Sequence, residues 1–414
     1  SADNMFRIWK ADVKSILKEK DNTLEVYFHS TTRKGLELTK DSPYWFHAAN
    51  DLSHIGGLFD KKISMYMRKA PYNFGWDWGP RILTIGIWKQ VSLEGWNDAR
   101  VEYTHYITES IDKKKAVVKV EVDALVDKQI TDAELVIKNN DIVLSRQPVV
   151  LEKGANHLEA TFRIKNPRLW WCNGMGEQNM YDFSAQIVAE NKVIASQNDR
   201  IGLRTIRLEQ EKDQWGRSFR FILNGVPVYA KGVNVIPFDN ILSDVTPETY
   251  RRNLEPAAQA NMNMLRVWGG GIYETDEFYR QCDSLGLMIW QDFIFSCTMY
   301  PSEGQLLETM REEFADNIRR IRNHPSLALW CGSNELEYSW ASKKLRTMNT
   351  QENMDKIWQM YLDQNKAIQE ALDTLCPEIC YQPSSPFRGY GKNKSPYEGD
   401  YHSWSVLSGS KPIT

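Results

Sequence analysis

The 414-residue chain has six cysteines but no C-x-x-C pair, and its seven histidines do not cluster with them at zinc-ligand spacing. Neither a zinc ribbon nor a thioredoxin-type redox motif is therefore expected. No window approaches the roughly 18 continuous apolar residues needed to span a bilayer. A net charge of −3 supplies no surplus of cations for a phosphate backbone or an anionic lipid surface, so neither nucleic acid nor a membrane is expected as a partner. The opening Ser1-Ala2-Asp3-Asn4-Met5-Phe6 has neither the basic start nor the apolar stretch of a signal peptide. The triplet Gly269-Gly270-Gly271 runs into Ile272-Tyr273-Glu274 and lacks the G-x-G-x-x-G spacing of a dinucleotide loop. No cofactor and no metal is expected. Cys172, Cys282, Cys297, Cys331, Cys376 and Cys380 read mostly as small apolar core residues, with Cys376 and Cys380 able to bridge if the loop between them allows it.

What the chain has in excess is aromatic: 15 Trp, 18 Tyr and 15 Phe. Much of this is core, but aromatic faces also stack on the C–H faces of sugar rings, so a carbohydrate groove is compatible with it. Residues 1–97 carry short runs such as Leu24-Glu25-Val26-Tyr27-Phe28 and Ile63-Ser64-Met65-Tyr66-Met67 that end in turn residues, the pattern of a β-sandwich or jelly roll. Asn97-Asp98 breaks it. Residues 98–207 repeat the pattern in a fresh unit, with Ala116–Val122 and Ala133–Ile137 as strands and Lys113-Lys114-Lys115 as a solvated turn. About 110 residues of short strands fit an immunoglobulin-like sandwich, here without its Cys-Trp-Cys signature.

From 208 to 414 strands alternate with helices. Phe219–Leu223 and Val226–Ala230 flank Asn224-Gly225, a hairpin signal. Thr246-Pro247 opens a helix with an N-cap and Pro at N1. The strand-like runs Met262–Trp268 and Leu287–Trp290 bracket a helix that Gly286 ends. Between Gln305 and Arg322, Leu307, Met310, Phe314, Ile318 and Ile321 step along one helical face. Repeated β-α units with short connections imply a parallel sheet, and the missing dinucleotide loop favours a barrel over a doubly wound fold.

The buried-looking run Leu327-Ala328-Leu329-Trp330 ends in Cys331-Gly332-Ser333-Asn334-Glu335. An Asn-Glu pair at the C-terminal lip of a buried strand stands where (β/α)8 enzymes place their chemistry. A carboxyl there, beside an amide and among tryptophans, suits a general acid for splitting a glycosidic bond. The structural alternative is a solvated Glu in a strand-to-helix loop.

The stretch from Asn263 to Glu274, then Trp290-Gln291-Asp292-Phe293, then Met299-Tyr300-Pro301, closely resembles the barrel of the β-mannosidases in glycoside hydrolase family 2. Trp330 to Glu335 resembles that group's acid/base motif. Phe74-Gly75-Trp76-Asp77-Trp78-Gly79-Pro80 resembles the signature of its sugar-binding β-domain, and Gly399-Asp400-Tyr401-His402-Ser403-Trp404 a late barrel loop. The resemblance covers nearly the whole chain in order. It implies a multidomain β plus α/β architecture: a partial jelly roll, an immunoglobulin-like sandwich and an incomplete (β/α)8 TIM barrel. It also implies a retaining exo-β-mannosidase acting on an oligosaccharide or glycan in an extracytoplasmic setting.

The resemblance assigns roles. Glu335 would be the general acid and then the base, its pKa raised toward neutrality by desolvation. Asn334 would bond the sugar 2-hydroxyl, or else cap the following helix. Arg266 would pair with carboxylates of the site and hold one ionised, or form a salt bridge below it. Trp268 would wall the sugar subsite or simply pack. Asp77, between Trp76 and Trp78, would reach from the first domain to bind hydroxyls, or be a buried turn residue. Asp292, Asp400, His402 and Trp404 would line the groove.

One departure matters. Retaining glycosidases need two carboxylates about 5–5.5 Å apart, and the Ser-Glu-Phe/Tyr-Gly type of motif that would carry the nucleophile does not follow Trp404. Glu337 and Glu398 are poor substitutes, one too close in sequence and the other in a loop. The expectation is an internal fragment, inactive alone, with open sheet edges that invite homo-oligomer formation or disorder near the C-terminus. Two other readings stand: another family 2 exo-glycosidase (galactosidase, glucuronidase or glucosaminidase), or a non-catalytic carbohydrate-binding protein.

Overall fold

The computed structural model describes residues 2–59, 61–393 and 395–404. Its first region, up to Asp98, carries a helix α1 (Thr31–Lys40) and short 3-10 turns at Ser64–Tyr66 and Pro71–Phe74. The strands expected at Leu24–Phe28 and Ile63–Met67 are absent among the described residues. Leu24, Val26, Tyr27 and Phe28 are exposed, and no described backbone offers them the ladder that a strand requires. The region is anchored instead by side chains. Phe6 packs edge-on against Tyr273, with ring centroids 5.6 Å apart. Arg68 donates to Glu313 through Nε at 2.8 Å and Nη2 at 2.6 Å.

The second region is a two-sheet antiparallel sandwich. Its strands are β1 (Ala99–Ile111), β2 (Lys115–Val126), β3 (Ile130–Asn139), β4 (Ile142–Leu151), β5 (Gly154–Lys165), β6 (Tyr181–Ala189) and β7 (Lys192–Ile201). One sheet runs β1-β2-β5 and the other β4-β3-β6-β7. Alternation along β2 buries Ala116, Val118, Val120, Val122, Ala124 and Val126 against the facing sheet, the half-buried period of two that the sequence shows. Asp112 accepts from Lys114 N and Lys115 N, so the lysine run is a solvated turn into β2. His105 fastens the sandwich to the third region, its Nδ1 3.3 Å from Glu121 and its Nε2 2.8 Å from Glu378.

A small antiparallel sheet of β8 (Ile206–Glu209), β9 (Arg220–Leu223) and β10 (Val226–Val228) leads into the α/β region. Asn224 and Gly225 make the turn at φ +50° and +80°, as the Asn-Gly signal requires. The α/β region runs β11 (Gly232–Val235), α2 (Pro247–Gln259), β12 (Met264–Val267), α3 (Asp276–Leu285), β13 (Met288–Asp292), α4 (Gly304–Ile321), β14 (Leu327–Cys331), α5 (Leu336–Trp340), α6 (Lys343–Met348), α7 (Gln351–Leu375) and β15 (Tyr381–Gln382). The five strands form one parallel sheet in sequential order, as in a barrel wall, and among the described residues it does not close. Thr246 caps α2, and Gly286 ends α3 in the left-handed conformation. Met310, Phe314, Ile318 and Ile321 on α4 are fully buried, each stabilising the fold by roughly 1.5–3 kcal/mol. The 25-residue α7 carries no sequence-level expectation. All six cysteines are free. Cys376 turns toward Glu378, whereas Cys380 Sγ accepts from Leu208 N, so the two thiols serve different neighbours. The disorder expected near the C-terminus falls on residues 405–414, which lie outside the described residues; the association expected of open sheet edges is a question for solution measurement. No helix of the described chain is long and apolar enough to cross a membrane.

Candidate active site

Parallel strands align the C-terminal ends of β12 to β15, so the segments leaving them meet on one lip. Each contributes polar groups: Trp268-Gly269 after β12, Ser296-Cys297 after β13, Asn334-Glu335 after β14 and Ser385 after β15. Isolated bridges Ser296↔Asn334 and Asn334↔Ser385 carry the parallel pairing past the strand ends. Glu335 N donates to Ser385 O at 2.9 Å, and Asn334 N to Phe295 O at 2.9 Å. These bonds hold Glu335 at φ +56°, ψ +27°, a left-handed backbone that a non-glycine residue adopts at a cost of about 1–3 kcal/mol. Such strain is concentrated where a side chain must be aimed. Glu335, not Asn334, occupies the N-cap position of α5 and makes no side-chain cap bond, which removes the capping alternative for Asn334.

Asn334 is buried and fully engaged. Its Nδ2 donates to Ser296 Oγ at 3.1 Å, and its Oδ1 accepts from Arg266 Nη2 at 2.9 Å. Arg266 projects from β12 and grips Asp292 through Nε at 3.3 Å and Nη2 at 2.7 Å. Asp292 also accepts from Gly269 N and Trp290 Nε1, each at 3.0 Å. Burial alone would lower the Arg266 pKa, but the charge of Asp292 carries it above its ordinary value. Burial leaves Asp292 above its own.

Three tryptophans form a wall. Trp76 meets Trp268 edge-on at 4.6 Å between centroids and Trp78 meets it at 5.8 Å. A Cβ on Gly270 would lie 1.9 Å from the Trp268 ring, so that glycine is what lets the indole fold over its own backbone. Tyr72 N donates to Gly270 O at 3.0 Å, tying the first region to this lip. Asp77, between Trp76 and Trp78, is exposed and makes no hydrogen bond among the described residues, so the buried-turn alternative does not hold.

Glu335 faces the end of the described chain. His402 Nδ1 lies 2.6 Å from its Oε1, Trp404 Nε1 donates to the same oxygen at 3.4 Å, and Cys297 Sγ lies 3.7 Å from Oε2. The expectation of a raised pKa is overturned. Burial does push the carboxyl up, but the His402 bond and charge, with Trp404 and Arg266, bring it below its ordinary value. Two residues on, Glu337 accepts from Tyr361 OH at 3.2 Å and from the Gly391 backbone, and burial pushes it up to about 7. Glu398 pairs with Arg388 at 3.7 Å, away from these groups.

Ser385 touches site residues without having been singled out in the sequence, and Cys297, read there as a core cysteine, touches Glu335 and Asn334. Each follows a strand end of the same sheet, and that shared position is the signal that could have found them. His105, Cys376 and Glu378 also bring ligand-type atoms within 4.8 Å of one another. The imidazole there is already engaged by Glu121 and Glu378, the work of a domain clamp.

Comparison with known proteins fits this layout. Residues 1–89 match the glycosyl hydrolase 2 galactose-binding domain-like model, 99–204 the glycosyl hydrolases family 2 model, and 217–385 the glycosyl hydrolases family 2 TIM barrel domain. The chain belongs to glycoside hydrolase family 2. β-Mannosidase B of Emericella nidulans is 33% identical over 99% of this chain and 48% of its own length. That of Aspergillus oryzae is 35% identical over the same shares. The chain thus spans about half the length of the curated relatives it matches. A crystal structure of β-D-mannosidase from Dictyoglomus thermophilum superposes with a TM-score of 0.79 at 36% identity, covering 91% of this chain and 45% of that one. A Bacteroides uniformis β-glucuronidase superposes at 0.57 with 17% identity, covering 69% and 34%, a likeness of fold alone.

Proposed function

We propose that the complete protein is a retaining exo-β-mannosidase that removes terminal β-linked mannose from oligosaccharides or glycans in an extracytoplasmic compartment. The division into 1–97, 98–207 and 208–414 serves it as sugar-binding wall, spacer and catalytic barrel. Glu335 is the acid/base, Asn334 holds the sugar 2-hydroxyl, and Trp268 with Trp76 offers the stacking face. Asp77 reaches for hydroxyls at the rim, Arg266 and Asp292 brace Asn334, and His402 and Trp404 orient the acid. The observation that carries this reading is Glu335 held in a left-handed backbone at the strand-end lip, beside a tryptophan wall.

The direction of the Glu335 pKa fits a site still waiting for its second carboxylate. A like charge within a few ångströms raises a carboxyl pKa, and retaining chemistry needs a nucleophile about 5–5.5 Å away. Asp292 is committed to Arg266, and Asp400 to Gln382, Ser385 and Phe387. No Asp or Glu follows Asp400 in the sequence.

The test compares the complete protein with the 414-residue chain on an aryl β-mannoside. The complete protein turns over, and Glu335→Gln lowers its kcat by at least ~10²–10⁴-fold, the contribution of general acid–base catalysis. The 414-residue chain alone is inactive. Normal turnover by that chain, or a fully active Glu335→Gln enzyme, would overturn the reading; preference for a β-galactoside or β-glucuronide would move it to another branch of the family.

A further inference from the structure

We propose that Ser385 and Asp400 are positioning residues that fix the tautomer of His402, so that His402 Nδ1 and Glu335 Oε1 hold a single proton between them. The argument is a hydrogen count. Asp400 Oδ1 accepts from Gln382 Nε2 at 2.6 Å and from Phe387 N at 2.8 Å, and its Oδ2 accepts from the Ser385 hydroxyl. With three donors aimed at it, Asp400 is an acceptor throughout. Ser385 has one hydroxyl hydrogen, and that hydrogen lies on Asp400. Its oxygen also stands 2.8 Å from His402 Nε2, and that contact is a bond only if Nε2 carries a hydrogen and donates it.

The other ring nitrogen then has two states. Nδ1 faces Glu335 Oε1 at 2.6 Å. Either it bears a hydrogen and donates to a carboxylate, or it is bare and accepts from a protonated carboxyl. A bare nitrogen against a bare carboxylate at that distance is repulsive, so the pair keeps one proton. In the exchange the O–H bond of Glu335 breaks as the N–H bond of Nδ1 forms, giving carboxylate and imidazolium; no other reactant is needed. Among the described residues, Arg266 also acts on Glu335 from β12, and Cys297 Sγ lies 3.7 Å from Glu335 Oε2.

The consequence rests on the reading of Glu335 as acid/base. When Glu335 gives its proton to a leaving oxygen, carboxylate and neutral imidazole are left face to face. That repulsion favours recovery of a proton from the incoming water. A base whose orientation is set by a further side chain is the arrangement that activates nucleophiles in hydrolases, here serving a carboxyl instead.

The test reads the imidazole nitrogens of His402 by magnetic resonance in the histidine-labelled chain, which needs no enzymatic activity. The expected result is an Nε2–H signal across the pH range of the folded chain. That signal is lost in Ser385→Ala and in Asp400→Asn, and recovered in Ser385→Thr, which keeps the hydroxyl. A bare Nε2 in the unaltered chain, or a retained Nε2–H in the folded Ser385→Ala variant, would overturn the proposal. In the complete protein, Ser385→Ala shifts the pH profile of kcat while leaving KM within about twofold; an unmoved profile also counts against it. Failure of the mannosidase reading would leave the nitrogen signals as stated, so the two fail separately.

Discussion

Among the described residues two arginine–carboxylate pairs are buried, one at the seam between the first region and the barrel and one at the barrel lip. At the seam, the Arg68 and Glu313 side chains are 1% and 0% exposed. Glu313 also accepts from Asn4 Nδ2 at 2.9 Å and Tyr273 OH at 3.1 Å, while Arg68 donates to Ile294 O and lies 4.1 Å over the Phe295 ring. At the lip, Asp292 is equally enclosed, but Arg266 keeps 11% exposure and divides its donors among Asp292, Asn334 and Asn234. The same chemistry is closed on itself in one place and left open in the other. A pair whose partners are all its own chain holds elements together; a pair whose guanidinium still meets solvent holds a side chain ready for something else.

The sharpest way to break that contrast is to remove one carboxylate from each pair. Glu313→Gln leaves Arg68 buried without a counter-charge and is expected to cost about 3–5 kcal/mol, read as a lowered denaturation midpoint at unchanged slope. Asp292→Asn should cost less, roughly 1–3 kcal/mol, because water at the lip can solvate Arg266. It should also weaken sugar binding in the complete protein, where Glu313→Gln, in the fraction still folded, should not. Equal stability losses would mean that the lip pair is structural too.

The contrast also marks what was legible in the sequence. The α/β elements declared themselves because their signals are local: Thr246-Pro247, Gly286, Asn224-Gly225 and the α4 stripe all fell where their chemistry placed them. The lip residues were legible as motifs, with Arg266 read as pairing with some carboxylate of the site and Asp292 only as lining the groove. The seam was not. Arg68 and Glu313 are 245 residues apart, and nothing local distinguishes a guanidinium that will be walled in from one that will be solvated. The first region misled for a related reason. Alternating apolar residues at 24–28 promise a strand, but a strand exists only with a ladder partner, and partners are a property of the whole sheet. The ionisation of Glu335 was misread because it depends on His402, 67 residues later.

The smallest effect distinguishes a carboxyl held by His402 from one held by neutral groups. Glu335 has His402 and lies below its ordinary value, while Glu337, bonded to the Tyr361 hydroxyl and the Gly391 backbone, is raised to about 7 by burial. A folded-state pKa above the unfolded one means that the folded chain binds the extra proton between about pH 4.5 and 7. Stability linked to Glu337 is therefore fully present below the lower value, declines as pH rises through that window, and is flat above it. Glu337→Gln should remove this slope, leaving the variant more stable than the parent at pH 8 and little changed at pH 4. Denaturation midpoints at the two pH values measure it. A slope that survives the substitution would place the titrating group elsewhere, and would mean that Glu337 keeps its charge in the fold as Glu335 does.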